Sequence, residues 1–305
     1  MGTEPKRHHY IPQFILRNFC FDKSNHLNYY DISNNKFSVE ETSDVFMIRN
    51  LYRDEVNYPD NPIQLEKDFS KYETEVVNII REKLLSGDDI LITQEEDERL
   101  KLFLALMSFR SKSTREQFGK FDDNDKQYYN LLKEGETFEE IWIRNLEKIV
   151  NCRSLAEVIK SPEIDEIIKM AMKRDSFGIA GKYLIIAERR GNEDFFIGDC
   201  YPLITSGEFD GGLKLPMYSF YPISPSRIII LAANGVERTP RNLQDYDSNF
   251  IKKPTIMPNS NMYRITVRKI YEDKAKMINQ NMFDATKAIG GNIAFKDKTR
   301  ISVLK

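Results

Sequence analysis

Most of the patterns that announce a function are missing from this chain of 305 residues. It has three cysteines, Cys20, Cys152 and Cys200, far apart and without a Cys-x-x-Cys pair. That spacing gives no zinc ribbon and no disulfide framework, and it fits free thiols in a reducing compartment. No apolar run approaches the roughly 18–20 residues that span a bilayer; the greasiest stretch, Arg227–Ala233, is far shorter. The opening Met1-Gly2-Thr3-Glu4-Pro5-Lys6 lacks the apolar core of a secretory leader, so a cytoplasmic protein is expected. There is no Gly-x-x-x-x-Gly-Lys-Ser/Thr, no Gly-x-Gly-x-x-Gly, no Gly-x-Ser-x-Gly and no His-Glu-x-x-His. Excess charge of one sign is missing too: 45 Lys and Arg against 47 Asp and Glu leave a net charge of -2. Any nucleic-acid partner would therefore need a local basic patch.

What remains is an ordinary globular balance, 41% hydrophobic and 30% charged, in a chain long enough for a sizeable core. Residues 10–21 read as a short helix. Leu27–Ile32 and Phe37–Val39 read as a hairpin across Ser33-Asn34-Asn35-Lys36. Leu65, Phe69, Tyr72, Val76, Ile79, Ile80 and Leu84 then recur at three-and-four spacing, which predicts an amphipathic helix between Ile63 and Leu85. Thr93 and Glu96 form a capping box that opens a long apolar helix running to about Phe118. Further helices are predicted at about Asp125–Glu134, Thr137–Val150 and Pro162–Arg174. Short β-branched and aromatic runs follow at Tyr183–Arg189, Asp194–Ile197, Tyr218–Tyr221 and Arg227–Ala233. Ala275–Phe283 reads as a last helix, and Asn292–Phe295 with Ile301–Leu304 as final strands. The fold class expected is α+β: an N-terminal helix and hairpin, a helical middle and a β-rich last third. Because early and late strands flank the helices, residues 1–305 are expected to form one domain. Its helical part spans about 63–174, and its β-rich part about 10–53 plus 180–305.

One segment concentrates polar chemistry: Lys6-Arg7-His8-His9-Tyr10-Ile11-Pro12-Gln13-Phe14-Ile15-Leu16-Arg17-Asn18-Phe19. It holds two of the three histidines. Adjacent residues on an extended chain point to opposite faces, so one imidazole is expected at a site and the other packed or solvated. Lys6, Arg7 and the histidines precede a helix N-terminus, where free N–H groups favour an anion. Gln13 and Arg17, four apart, share a helical face. Arg17 offers a fork for a carboxylate or phosphate, or else pairs with an acid such as Glu66 or Glu73.

Three more groups deserve weighing. Glu66 and Glu73 are seven apart and lie on one helix face beside Phe69 and Tyr72. They suit a divalent ion or a basic partner, or form a solvated face. Arg110 and Arg115 sit at the end of the most apolar helix, where they complement the macrodipole or bind an anion. Asp199 follows the apolar run Phe195-Phe196-Ile197. A strand end aims a carboxylate there, although Asp is also an ordinary turn starter.

The order of these motifs resembles the domain of unknown function 4238 family of mostly bacterial proteins. The likeness is carried by His8-His9-Tyr10-x-Pro12-Gln13-Phe14-x-Leu16-Arg17-x-Phe19, the acidic Glu66–Glu73 helix, Arg110 and Arg115, Ile197-Gly198-Asp199-x-x-Pro202 and Tyr221-Pro222-Ile223-Ser224-Pro225. It spans nearly the whole chain. Gly198 departs from the family pattern, which has a hydroxyl residue there. The resemblance implies no activity. The leading expectation is a metal-dependent nuclease or other phosphodiester hydrolase, compatible with phage defence or a toxin-like role. Its catalytic set would be His8, His9, Gln13 and Asp199. Glu66, Glu73 and Asp199 would hold Mg²⁺ or Mn²⁺, and Arg17, Arg110 and Arg115 would steady a phosphate. The competing expectation is a non-catalytic module that senses an anionic ligand or nucleotide through the His/Gln/Arg corner. A third is a polar network tying the N-terminal helix to the β-rich third. Nucleic acid or a phosphate-containing ligand is the partner expected, and no membrane.

Overall fold

A computed structural model describes residues 7–55, 58–173, 178–233, 255–257 and 260–304. Lys6 and the end of the helix predicted to reach Arg174 lie outside the described residues. Along the chain run β1 (Arg7–His9), α1 (Gln13–Leu16), β2 (His26–Asp31), β3 (Lys36–Glu41), β4 (Met47–Arg49), α2 (Gln64–Asn78), β5 (Asp89–Thr93), α3 (Gln94–Phe109), α4 (Lys112–Phe118), α5 (Phe138–Val150), α6 (Leu155–Lys160) and α7 (Glu166–Met172). Then come β6 (Tyr183–Arg189), β7 (Ile197–Gly198), β8 (Leu203–Glu208), β9 (Lys214–Pro222), β10 (Arg227–Ala232), β11 (Thr255–Ile256), β12 (Met262–Thr266), β13 (Arg268–Ile270), α8 (Glu272–Ala288) and β14 (Asn292–Phe295). The protein is a mixed α+β fold. Among the described residues, no helix is long and apolar enough to cross a membrane.

The largest sheet is β13-β6-β10-β9-β8, antiparallel except where β13 pairs with β6. All six residues of its central strand, β10, are buried, as expected of a near-continuous apolar run covered on both faces. A second sheet, β3-β2-β14-β7, joins the two ends of the chain: β14 pairs with both β2 and β7. This pairing sets Asn292 beside the end of β7, where Asp199 stands. The capping box at Thr93 forms as read, with Glu96 N–H on Thr93 Oγ1 at 3.1 Å and Thr93 N–H on Glu96 Oε2 at 2.8 Å.

Several boundaries differ from the reading of the sequence. The helix predicted to run to Phe118 breaks at Arg110, because Ser111 Oγ accepts Thr114 N–H at 3.2 Å and caps a new helix, α4. Asp125–Glu134 contains only a 3₁₀ turn, Asp125–Tyr128. Asp122 Oδ1 accepts the Asn124 N–H and Asp125 Oδ2 the Asp122 N–H, so these side chains bond local backbone instead of starting a long helix. Pro162 opens no helix; α6 ends before it and α7 starts at Glu166. Ile301–Leu304 is not a strand but carries a 3₁₀ turn, Ser302–Leu304, and the Ser302 N–H is taken by Glu193. The supposed helical middle also contains β5, which pairs with β12 across the sequence.

Candidate functional site

The N-terminal motif begins as a strand. β1 pairs with β4, His8 opposite Ile48 and His9 opposite Met47, so the two imidazoles leave opposite faces. His8 is 1% exposed. Its Nδ1 accepts the Tyr52 N–H at 2.8 Å, which fixes the neutral Nε2–H tautomer, and its ring stacks on Tyr52 at 5.7 Å. His9 is part-exposed and donates from Nε2 to the Thr42 carbonyl at 3.0 Å, leaving Nδ1 as its basic nitrogen. Burial lowers its pKa, as does the charge of Arg110, although the Thr42 bond opposes them. His8 is thus packed, while His9 lies part-exposed at the edge of a polar corner.

Tyr10 begins the link to the far end of the chain. Its hydroxyl donates to Asp199 Oδ1 in a short contact, and burial beside that carboxylate pushes the Tyr10 pKa well up. Asp199 Oδ2 accepts both Asn292 N–H groups, backbone at 2.8 Å and side chain at 3.0 Å, and Lys112 Nζ lies 3.8 Å away. Gly291 makes this approach feasible, since a Cβ there would stand 2.7 Å from Asp199 Cβ. Gly198 allows a second close approach, since a Cβ there would stand 2.7 Å from Thr286 Oγ1. Thr286 Oγ1 in turn lies 2.9 Å from Cys200 Sγ.

Arg110 stands at the break between α3 and α4 and is 1% exposed. Its Nε donates to the Tyr10 carbonyl at 3.2 Å, its Nη2 pairs with Glu73 Oε1 at 2.8 Å, and its guanidinium caps the Phe69 ring at 4.6 Å. Burial raises the Glu73 pKa against the pull of Arg110. Burial likewise brings Glu66 up to about 7, with Arg110 opposing and Glu73 adding to the rise. Arg115, one turn on, pairs with Glu139. Besides Arg110 Nη2, whose contact with Glu73 is an ion pair, three buried polar atoms close this corner without a hydrogen-bond partner among the described residues: the Tyr52 hydroxyl, the Tyr201 hydroxyl and Arg115 Nε. Tyr52 senses the charges of both Arg110 and Arg115, and Tyr201 that of Arg110.

The structure thus forms two neighbouring groups joined by the Arg110–Tyr10 bond: Arg110 with Glu73, Glu66, His9 and Tyr52, and Tyr10 with Asp199, Asn292 and Lys112. It leaves two expected residues apart. Arg17 is exposed and takes Gln13 Oε1 at 3.1 Å, so these two pair with each other and not with Glu66 or Glu73. Asn18 instead ties the helix to the Ile223 carbonyl at 2.8 Å. The predicted ligand trio of Glu66, Glu73 and Asp199 is not assembled. Among the described residues, no three His, Cys, Asp or Glu side chains are grouped to hold a metal ion. Glu73 is spent on Arg110 and Asp199 on Tyr10 and Asn292, which accounts for the separation.

A mixed α+β chain whose N-terminal His-His-Tyr segment, α3–α4 break and β7 end meet in one buried polar corner is the class defined by fold and site. The chain belongs to the family described as Protein of unknown function (DUF4238), whose model matches residues 7–299. Neither the curated proteins nor the solved structures compared with it gave a match.

Proposed function

We propose that the protein recognises a phosphate-bearing ligand in the corner beneath Arg110. The observation that carries this reading is the kind of bonding capacity left unmet there. The Tyr52 hydroxyl, the Tyr201 hydroxyl and Arg115 Nε are all donors, buried and without an acceptor. Buried polar groups are nearly always paired, and an oxyanion accepts from several donors at once. His9, Lys112 and Arg115, each part-exposed, give such a ligand its way in.

A second reading, hydrolysis of a phosphodiester as in a nuclease, is favoured by the titration of His9 and Glu66. A base works neutral and an acid works protonated. With the His9 pKa lowered from 6.5 and Glu66 at about 7, both conditions are met in one window just below neutrality. This reading uses the side chains alone and routes no step through Mg²⁺ or Mn²⁺.

One titration tests the binding reading. Sulfate stays doubly charged across neutral pH, so calorimetry with sulfate should give saturable binding. Tyr52→Phe or Tyr201→Phe, which remove only an unpaired hydroxyl, should weaken it about tenfold without lowering Tm. Absence of saturable binding, or equal affinity in both variants, overturns it. Incubating the same samples with DNA, RNA and bis(p-nitrophenyl) phosphate, with and without EDTA, tests the second. Cleavage unaffected by EDTA and lost in His9→Ala supports it, and no cleavage rejects it.

A further inference from the structure

The sheet β3-β2-β14-β7 ends on β3, Lys36–Glu41, which among the described residues pairs on one side alone, with β2 from Lys36 opposite Asp31 to Glu41 opposite His26. Its other side presents backbone N–H and C=O groups to which a further strand can bond. Side chains alternate along it, Phe37 and Val39 on one face, Lys36, Ser38 and Glu40 on the other. Phe37 stacks on Tyr30 at 4.2 Å and lies under Lys298 Nζ at 3.5 Å, yet it stays 41% exposed, and Val39 is 55% exposed. Two large apolar side chains on an open strand edge favour association.

The strand's own sequence fits a second copy of itself. In an antiparallel pair, residues directly opposite one another either both turn their backbone groups toward the partner strand or both turn them away. When a strand pairs with its copy across a two-fold axis, opposite residues are therefore an even number of positions apart, and the axis passes through a residue. An axis at Phe37 sets Lys36 against Ser38. An axis at Val39 sets Phe37 against Glu41 and Ser38 against Glu40. An axis at Ser38 sets Lys36 against Glu40 and Phe37 against Val39, each pair occurring twice by symmetry, with Ser38 opposite its own copy. Of these three registers, the one centred on Ser38 alone joins opposite charges on one face and apolar with apolar on the other. Lys36 and Glu40 are charges of the kind that guard an edge against strange strands, and in this register they select the like strand.

We propose that two copies of this chain join through β3, antiparallel and with the two-fold axis at Ser38, so that their two sheets run on as one. The strand is short and the interface falls below the standard size, so the dimer forms in proportion to concentration.

Sedimentation velocity of the full chain between about 1 and about 100 µM should show a monomer–dimer equilibrium. Ser38→Cys reads the register. Oxidised with diamide it should lock the dimer as a disulfide, because residues opposite one another stand at Cβ separations of about 4.5–5.5 Å. Phe37→Cys alone should stay uncrosslinked, since its own copy lies two positions off at about 7–8 Å, whereas Phe37→Cys mixed with Val39→Cys should crosslink. The unaltered chain, with Cys20, Cys152 and Cys200, gives the background. Glu40→Lys should weaken association about tenfold, because both symmetric pairs turn from attraction to repulsion, and adding Lys36→Glu should restore it. Lys36 also faces Asp31 across the hairpin, so Glu40→Lys, which leaves that pair alone, decides the charge test even where Lys36→Glu loosens β3. A chain still monomeric at about 100 µM overturns the proposal and leaves the edge to a strand of other sequence. A dimer that Ser38→Cys does not lock above background, that Phe37→Cys alone locks as readily, or that is indifferent to Glu40→Lys overturns it as well.

Discussion

A carboxylate that is 1% exposed persists in a protein only if each of its oxygens is met by a donor, and Asp199 shows how that is arranged. Tyr10 serves one oxygen and Asn292 the other, so the most polar residue of the core is also among the best satisfied. Glu66 is the opposite case, a group raised to about 7 with Arg110 as its one favourable charge. The sign follows from proton counting. The unfolded carboxyl titrates near 4.3, so between about 4.3 and 7 the native state holds the extra proton and stability falls as pH rises. Glu66→Gln is uncharged throughout. Its Tm should match the parent near pH 5 and exceed it near pH 8, by the equivalent of about 1–2 kcal/mol. Thermal melts across that range check it; a Tm gap independent of pH contradicts the raised Glu66 pKa. Residues of this kind were unevenly legible. His8, His9 and Asp199 declared themselves by position, and Arg110, Glu66 and Glu73 by helical spacing. Tyr52 and Tyr201 gave no signal, because a lone tyrosine in an aromatic-rich chain has no pattern. Gly291 gave no local signal either, since its place is set only where the start of β14 meets Asp199.

At the scale of elements, the site depends on an interruption. A continuous helix through Ser111 would carry Arg110, Lys112 and Arg115 round at about 100° per residue and scatter them around its axis. Instead Ser111 leaves helical geometry, caps α4 and turns the chain, so that Arg110 points back to Tyr10 and Glu73 while Lys112 reaches toward Asp199. The capping pattern Ser111-Lys112-Ser113-Thr114 was present in the sequence, but the apolar run before it read more strongly than the polar cap. Propensity favoured one helix, and the cap decided for two. Ser111→Ala should cost about 1 kcal/mol of stability. It should also weaken sulfate binding, because the guanidinium of Arg115 is aimed by α4. Denaturant melts and the sulfate titration measure the two effects. Loss of stability with unchanged sulfate affinity would separate the cap from the anion site. The hairpin of β2 and β3, α2 and the Thr93 cap were legible because each rests on local periodicity or a local bond. β5 was not, since its partner β12 lies about 170 residues further on and pairing at that distance leaves no local trace.

The whole molecule is closed by β14, which lies between β2 and β7 and so joins residues 26–31 to 197–198 through the last strand of the chain. Asn292 heads that strand, and its two N–H groups hold Asp199, which holds Tyr10. The His-His-Tyr motif therefore depends for its geometry on residues nearly 300 positions away, and the third of the expectations, a polar tie between the N-terminal helix and the β-rich third, describes how the site is built whatever ligand it takes. A chain ended after Ala288 puts this to the test. It keeps every helix named above but loses β14, both donors to Asp199 Oδ2 and the Ser302 bonds to Glu193. Leaving Asp199 half-satisfied in the core costs several kcal/mol, and exposing Tyr29, Tyr30 and Ile197 along the vacated strand position adds to that. Far-UV circular dichroism should retain helix, while hydrogen exchange should show β2 amides unprotected and the Tyr52 region loosened. Loss of protection in both places at once is the outcome expected of a cooperative tie. Should β2 stay protected in the shortened chain, the N-terminal hairpin would be stable on its own and Asp199 a local feature of β7, and the sequence motif would have to be explained by ligand contacts alone.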